Sequence, residues 1–304
     1  RHEPRSRGPV HSVLFVTDFF YPYLGGVEMH VWSMSQCLIS RGHRVSVVTH
    51  AHGRRRGVRY MRNGLRVYYI PAPCLPPSGQ VVCPSLFPLL PLFRDILIRE
   101  RVTLVHGHQS TSTLTNECLL FARTMGYRAV YTDHSLFGLA DVGSIHINKV
   151  LQITLSDVDH VICVSNTCRE NLCVRARLHP RAASTIPNAV DSTKFKPSGS
   201  MQFSTHALNV VVMSRLVYRK GVDLLVHVVP VVCARFPWVR FIIGGDGPKR
   251  VLLEQMREQH QLFDRVDILG AVPHSRVRDV LVTGHIFLNC SLTESFCIAI
   301  LEAA

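Results

Sequence analysis

From Ser12 onward, apolar runs of strand length alternate with segments whose apolar residues recur at helical spacing, the pattern of parallel sheets covered on both faces by helices. The expected strands are 12–17, 45–49, 65–70, 104–106, 129–132 and 161–164. Helices fill the intervals. In the first helix Val27, Val31, Met34 and Leu38 step by four, three and four, and Gly42 stands where a left-handed residue ends a helix. Gly25 and Gly26 make a tight turn between the first strand and this helix. A polar stretch with Pro and Ser, 191–206, interrupts the alternation, and a new strand is expected at 208–214. The scheme then repeats: helix 222–235, strand 240–244, helix 250–260, strand 266–269, helix 275–282, strand 286–289 and a helix from about Phe296 to Ala304.

This pattern predicts a divergent N-terminal tail (1–10), a Rossmann-like α/β domain (11–193), a linker (194–207) and a second Rossmann-like domain (208–304). The 304 residues suffice for two hydrophobic cores. A doubly wound sheet usually has five or six strands, so the second domain, with about four, is expected to be incomplete. Its last helix, lacking a C-cap, is expected to fray.

A composition of 47% hydrophobic and 18% charged residues excludes a disordered chain. No apolar run reaches the ~18 to 20 residues of a membrane helix. The greasiest, 86–98, is broken by Pro88, Pro91, Arg94 and Asp95. The first residues contain no apolar signal core, and the ten cysteines form no CxxC pair, which reads as reduced thiols in a cytosolic setting. Cys163 and Cys290 are expected inside strands. The formal charge of +13, concentrated in the first two thirds of the chain, favours anionic partners: phosphates, nucleic acid or a lipid surface.

Four local patterns point toward a nucleotide. Gly25-Gly26 precedes a helix, whose first N–H groups could receive a phosphate, although a ligand-free tight turn selects glycine as readily. Gly244-Gly245-Asp246-Gly247-Pro248 follows a strand in the same way, yet Arg250 breaks the dinucleotide spacing. Ser214-Arg215-Leu216-Val217-Tyr218-Arg219-Lys220-Gly221 places three cations in a strand-to-helix loop. There Arg215 can fork onto two phosphate oxygens and Lys220 can act as a compact point charge. Glu294 and Glu302 flank the start of the last helix, where the N–H groups of Phe296 and Cys297 would face a ligand while the carboxylates accept sugar hydroxyls.

Together with Ile186-Pro187-Asn188-Ala189-Val190-Asp191, these motifs resemble the retaining GT-B glycosyltransferases of family four. More narrowly, Asp18-Phe19-Phe20-Tyr21-Pro22, Gly25-Gly26-Val27-Glu28 and Thr132-Asp133-His134-Ser135-Leu136-Phe137-Gly138 resemble the catalytic subunits that transfer N-acetylglucosamine to phosphatidylinositol. The resemblance runs from about His11 to Ala304. It implies two Rossmann-like domains facing across a cleft, and transfer from UDP-GlcNAc with retention of configuration, the first step of glycosylphosphatidylinositol anchor synthesis. Arg215 and Lys220 match the cations on the donor diphosphate, Glu302 the ribose acceptor, Glu294 the acceptor for the transferred sugar, Gly26 the first-domain loop at the diphosphate, and His134 the histidine beside the sugar. No metal or other cofactor is implied. The implied partners are a UDP-sugar, phosphatidylinositol at a membrane surface and further subunits of a membrane complex, with no nucleic acid, at the cytosolic side of the endoplasmic reticulum membrane. The family continues beyond the equivalent of Ala304, so the chain is expected to be truncated at its C-terminus and, alone, poorly stable and weakly active. The alternatives are a non-catalytic variant of such a protein or a family-four transferase with another sugar or acceptor.

Three further patterns carry less. Asp157-x-Asp159 has the spacing of a metal-diphosphate site but falls on the wrong side of the first domain. His106-x-His108 places two histidines on one face of a strand end with no evident third ligand, which favours structural roles. Arg54-Arg55-Arg56 and the amphipathic segment 86–101 are candidates for contact with an anionic membrane surface.

Overall fold

The computed structural model describes residues 9–23, 25–75, 80–85, 87–197 and 207–304. It divides into two compact units, Arg1–Asn188 and Ala189–Ala304. The division falls within the Ile186 to Asp191 motif, ahead of the expected linker, and most of that linker, 198–206, lies outside the described residues, as do residues 1–8 of the tail and Leu86.

In the first unit the elements are β1 (Ser12–Val16), α1 (Gly26–Ser40), β2 (Arg44–His50), β3 (Gly57–Tyr60), β4 (Arg66–Ile70), α2 (Leu89–Arg99), β5 (Leu104–His108), α3 (Thr113–Thr124), β6 (Arg128–Asp133), α4 (Val142–Thr154), β7 (His160–Cys163), α5 (Asn166–Ala176) and β8 (Ala183–Thr185). They form one sheet in the order β3-β4-β2-β1-β5-β6-β7-β8, parallel except at β3. The central position of β1 sets the location of any site. Its neighbours are β2 and β5, so the chain leaves β1 and β5 in opposite directions, and a crevice opens at their C-terminal ends. Register places Phe15 beside Val47 on one flank and His106 on the other. Val31 of α1 is buried against Phe15, Val47 and Val67, with Val27, Met34 and Leu38 packed around it, so the helical stripe is the core face. Gly42 takes φ +90° just after the helix, as a left-handed stop requires.

One buried carboxylate ties the β1 loop to the next layer. Asp18 is wholly buried and accepts hydrogen bonds from Val82 N (2.9 Å), Thr113 N (3.2 Å), Leu114 N (3.1 Å) and Ser112 Oγ (3.0 Å), capping α3. Burial raises its pKa to about 6, against the lowering effect of those donors. The folded pKa exceeds the unfolded value of 3.8, so the native state holds the extra proton between the two. Stability from this group is therefore present below pH ~4 and lost as pH rises through about 6. In urea titrations, wild type should lose about 2 kcal/mol relative to Asp18→Asn between pH 4.5 and pH 7, and a pH-independent difference would refute the shift. Every other titrating group cancels in that comparison.

The second unit contains β9 (Leu208–Met213), α6 (Val222–Arg235), β10 (Val239–Gly244), α7 (Arg250–Gln259), β11 (Val266–Gly270), α8 (His274–Leu281), β12 (Ile286–Phe287) and α9 (Ile298–Ala303). Its four strands are parallel in the order β11-β10-β9-β12. Phe241, Ile243, Val212, Leu225, Val229 and Leu253 form its core. Here β9 lies between β10 and β12, so the loops after β9 and β12 flank the switch point. The last strand is shorter than expected because the Asn289 side-chain oxygen turns back to accept from Ser291 N (3.2 Å) and Ser291 Oγ (2.8 Å). Cys290 therefore sits in a loop rather than in a strand, whereas Cys163 ends β7. No helix among the described residues is long and apolar enough to cross a membrane.

Candidate active site

The loop after β9 is clasped by glycines. Gly245 adopts φ +133°, and a Cβ there would lie 1.8 Å from the Ser214 carbonyl oxygen; one on Gly247 would lie 2.5 Å from that of Leu216. The Gly245 to Gly247 turn thus runs against the backbone of 214–216, with Leu216 N donating to Asp246 O (2.9 Å) and Lys249 N to Leu216 O (3.0 Å). This packing accounts for the glycines that the sequence pattern associates with a nucleotide turn. At the other end of the loop, Gly221 takes φ +71°, and a Cβ there would lie 1.8 Å from the Cys290 carbonyl oxygen. Only glycine allows that approach, which brings a turn of 3-10 helix, Tyr218–Lys220, against the segment after β12. Leu292 N then donates to Arg219 O (2.9 Å).

The consequence is an ion pair. Lys220 Nζ meets Glu294 Oε1, both side chains 22% exposed. Arg215 is exposed and, among the described residues, has no ion-pair partner. Glu302 is 10% exposed and faces His274 Nε2 at 3.3 Å, so the two glutamates have different partners. The final helix begins at Ile298 and holds six residues, with Cys297 as its N-cap and Ser295 to Cys297 extended or irregular before it. The amides of Phe296 and Cys297 therefore precede the helix instead of forming its first turn. The expected helix start at about Phe296 is thereby corrected to Ile298.

In the first unit Gly26 opens α1, and a Cβ there would meet nothing within 4 Å. No packing or positive φ demands glycine at this position. His134 follows β6, and its Nε2 lies 3.1 Å from Nδ1 of His108, the last residue of β5. His30, on the first turns of α1, stands edge-on to His134 with ring centroids 4.8 Å apart. Burial lowers the pKa of His30 to about 4 and those of His108 and His134 well below the ordinary value, so all three rings are neutral near pH 7. His106 faces the other way in its bonding, with Nε2 at 2.7 Å from Thr132 Oγ1. The sequence pairing of His106 with His108 missed His30, which only the parallel topology brings in.

Beneath His134 lies a buried charge pair. Arg175 and Asp133, both fully buried, approach to 3.6 Å. Ser110 Oγ (2.6 Å) and Tyr131 OH (3.0 Å) donate to Asp133 Oδ1. Burial raises the Asp133 pKa while Arg175 lowers it. On the opposite surface Asp157 and Asp159 both pair with Arg123, at 3.3 and 2.8 Å.

Sequence and structure comparisons fit this arrangement. A family model described as PIGA (GPI anchor biosynthesis) matches residues 50–141, and one described as glycosyl transferases group 1 matches residues 201–304. A phosphatidylinositol N-acetylglucosaminyltransferase subunit of Arabidopsis thaliana is 61% identical over 97% of this chain and 66% of its own length. The human protein of the same name is 54% identical over 98% of this chain and 61% of its own length. Over nearly its whole length the chain is similar to these glycosyltransferase subunits. It spans 61% to 66% of the length of these two relatives. Among solved structures, a sucrose-phosphate synthase from Thermosynechococcus elongatus superposes with a TM-score of 0.75 at 19% identity, covering 96% of this chain and 78% of that one. Anabaena HepE in complex with UDP-glucose gives 0.67 at 19% identity over 96% of this chain and 78% of its own. The fold is that of the GT-B glycosyltransferases.

Proposed function

We propose that the chain carries out transfer of N-acetylglucosamine from UDP-GlcNAc to an inositol hydroxyl of phosphatidylinositol, with retention of configuration. The observation that carries this reading is the cationic loop after β9, held by Gly221 and Gly245 so that Arg215 and Lys220 flank the switch point of the second sheet. When the bond from the anomeric carbon to the β-phosphate oxygen breaks, charge builds on the leaving UDP. Two fixed cations stabilise that charge more than they stabilise the intact donor. The acceptor hydroxyl forms the new bond on the face the diphosphate leaves and passes its proton to that phosphate.

Glu294 holds Lys220 and accepts a hydroxyl of the transferred sugar, and Glu302 accepts from the ribose. Phe296 and Cys297 contribute only extended-chain amides near that donor. Neutral His134 exchanges a hydrogen bond with the sugar, and Gly26 admits the diphosphate to the backbone at the start of α1. The leaving charge is met by side chains, so the step in this reading needs no metal. The acceptor is received in the first unit, where a cavity of about 440 Å³ at the start of α1 is lined by Phe20, Trp32 and Met61 with Arg55 and Arg62 among its walls. An apolar wall beside guanidinium groups suits a phospholipid, with glycerol and acyl carbons on the rings and phosphate on the arginines. The same reading sets the reaction at the cytosolic side of the endoplasmic reticulum membrane within a multi-subunit complex.

Isothermal titration tests the donor. UDP-GlcNAc should bind one per chain, more tightly than UMP, because the diphosphate contacts are the larger share. Failure to bind UDP-GlcNAc at millimolar concentration would refute the assignment.

A further inference from the structure

His30, His108 and His134 come from three separate elements of the first unit, yet one ring nitrogen of each lies within 4.8 Å of the others. His108 Nδ1 and His134 Nε2 are 3.1 Å apart. His108 is fully buried, and its Nε2, like Nε2 of His30, is sealed from solvent with no hydrogen-bond partner among the described residues. A buried polar atom left without a partner costs about 1–3 kcal/mol, so the orphaned Nε2 of His30 calls for a ligand, and His108 offers its other nitrogen, Nδ1, beside His134 Nε2. Each neutral imidazole has one lone pair, and in the tautomers that turn all three toward one point the set suits a cation better than a water, which accepts and donates. With no carboxylate among the three, the donor set fits zinc and its neighbours and disfavours magnesium or calcium.

We propose that His30, His108 and His134 form a binding site for a divalent transition-metal ion of the zinc type, with a fourth position left open. A tetrahedral ion with bonds of about 2.0–2.1 Å sets two ligand nitrogens about 3.3 Å apart. The His108 and His134 nitrogens already stand at 3.1 Å, and His30 completes the set by a ring rotation. His106 stacks on His108 at 4.3 Å between centroids, and Phe15 lies 5.3 Å from each of these two rings, so the ligand rings are backed by rigid core. The open position would take water or an anionic oxygen. The site lies within the first unit and does not depend on the transfer reaction, although an ion there engages His134.

Cobalt(II) titration of the chelator-stripped chain tests this. The expected result is uptake of one equivalent, with the visible absorption of tetrahedral nitrogen ligation, displaced by zinc. His30→Asn and His108→Asn should each weaken binding on the order of 10- to 100-fold or more while far-ultraviolet circular dichroism is preserved. X-ray absorption of the zinc-loaded wild type, which needs no variant, should count three imidazoles and no sulfur. Absence of the visible band overturns the proposal. So does a thiolate charge-transfer band, which would place the ion at the Cys74 and His50 pair, 3.1 Å apart elsewhere in the unit. Fewer than three imidazoles per zinc would do the same. Lys220→Met, which should disable transfer, should leave cobalt binding unchanged, so the two readings fail separately.

Discussion

Arg175→Met is expected to lower the unfolding free energy of the first unit by about 3–5 kcal/mol, the range for breaking a buried ion pair by removing one partner. The guanidinium has no solvent contact, and each nitrogen is committed: Nε to Asn148 Oδ1 (3.0 Å), Nη1 to Asn171 Oδ1 (3.1 Å) and Nη2 to Ser110 Oγ (3.0 Å), above the Phe137 ring at 5.0 Å. Methionine fills much of the volume but leaves the buried Asp133 carboxyl without its counter-charge and three amide or hydroxyl groups short of a donor. For a unit of this size the midpoint should drop by about 10 °C in scanning calorimetry. The double variant Asp133→Asn with Arg175→Met should recover at least half the loss, because the uncompensated charge is then gone. A single-variant loss below about 1 kcal/mol, or strict additivity in the double, would show that the network carries little.

Residue spacing revealed much of this fold and less of its site. The limits of α6, Val222–Arg235, follow from Gly221 before it and Pro237 just after it, and the Val27, Val31, Met34, Leu38 stripe is the buried face of α1. The edge strands β3 and β8 escaped notice because one has every residue exposed and the other is three residues of Ala, Ser and Thr, so neither shows alternation. Arg175 did carry a signal: it falls on the face marked by Cys168, Leu172 and Ala176, all buried, where a solvated arginine would not belong. The histidine cluster had none, since parallel pairing of β5 with β6, and of β1 with β5, is what gathers positions far apart in the chain. The last helix begins two residues later than expected for a local reason, because Cys297 at φ −89° and ψ 96° is extended.

Lys220→Met should separate a functional pair from a structural one. Lys220 and Glu294 are each about a fifth exposed, and ion pairs near solvent are worth about 0–1 kcal/mol to stability. Were the contact only structural, its loss would shift the melting midpoint slightly and leave catalysis alone. The placement argues otherwise: a left-handed backbone at φ +71° that favours glycine, and a close approach to Cys290 O that excludes a Cβ, hold this one ammonium at the switch point. Removing a fixed charge that acts on a developing anion typically costs 10²–10³ in kcat, about 3–4 kcal/mol. The expected outcome in the assembled enzyme is therefore a fall of that size in transfer from UDP-GlcNAc, with stability within about 1 kcal/mol of wild type. Lys220→Arg should restore little, since the planar guanidinium is bulkier than an ammonium and spreads its charge. Glu294→Gln keeps a hydrogen-bond acceptor and loses the counter-charge, so its defect should be smaller than that of Lys220→Met, and the double variant should be no worse than Lys220→Met alone if the two act as a unit. Turnover of Lys220→Met within a few-fold of wild type would mean that the ammonium serves only to hold the loop.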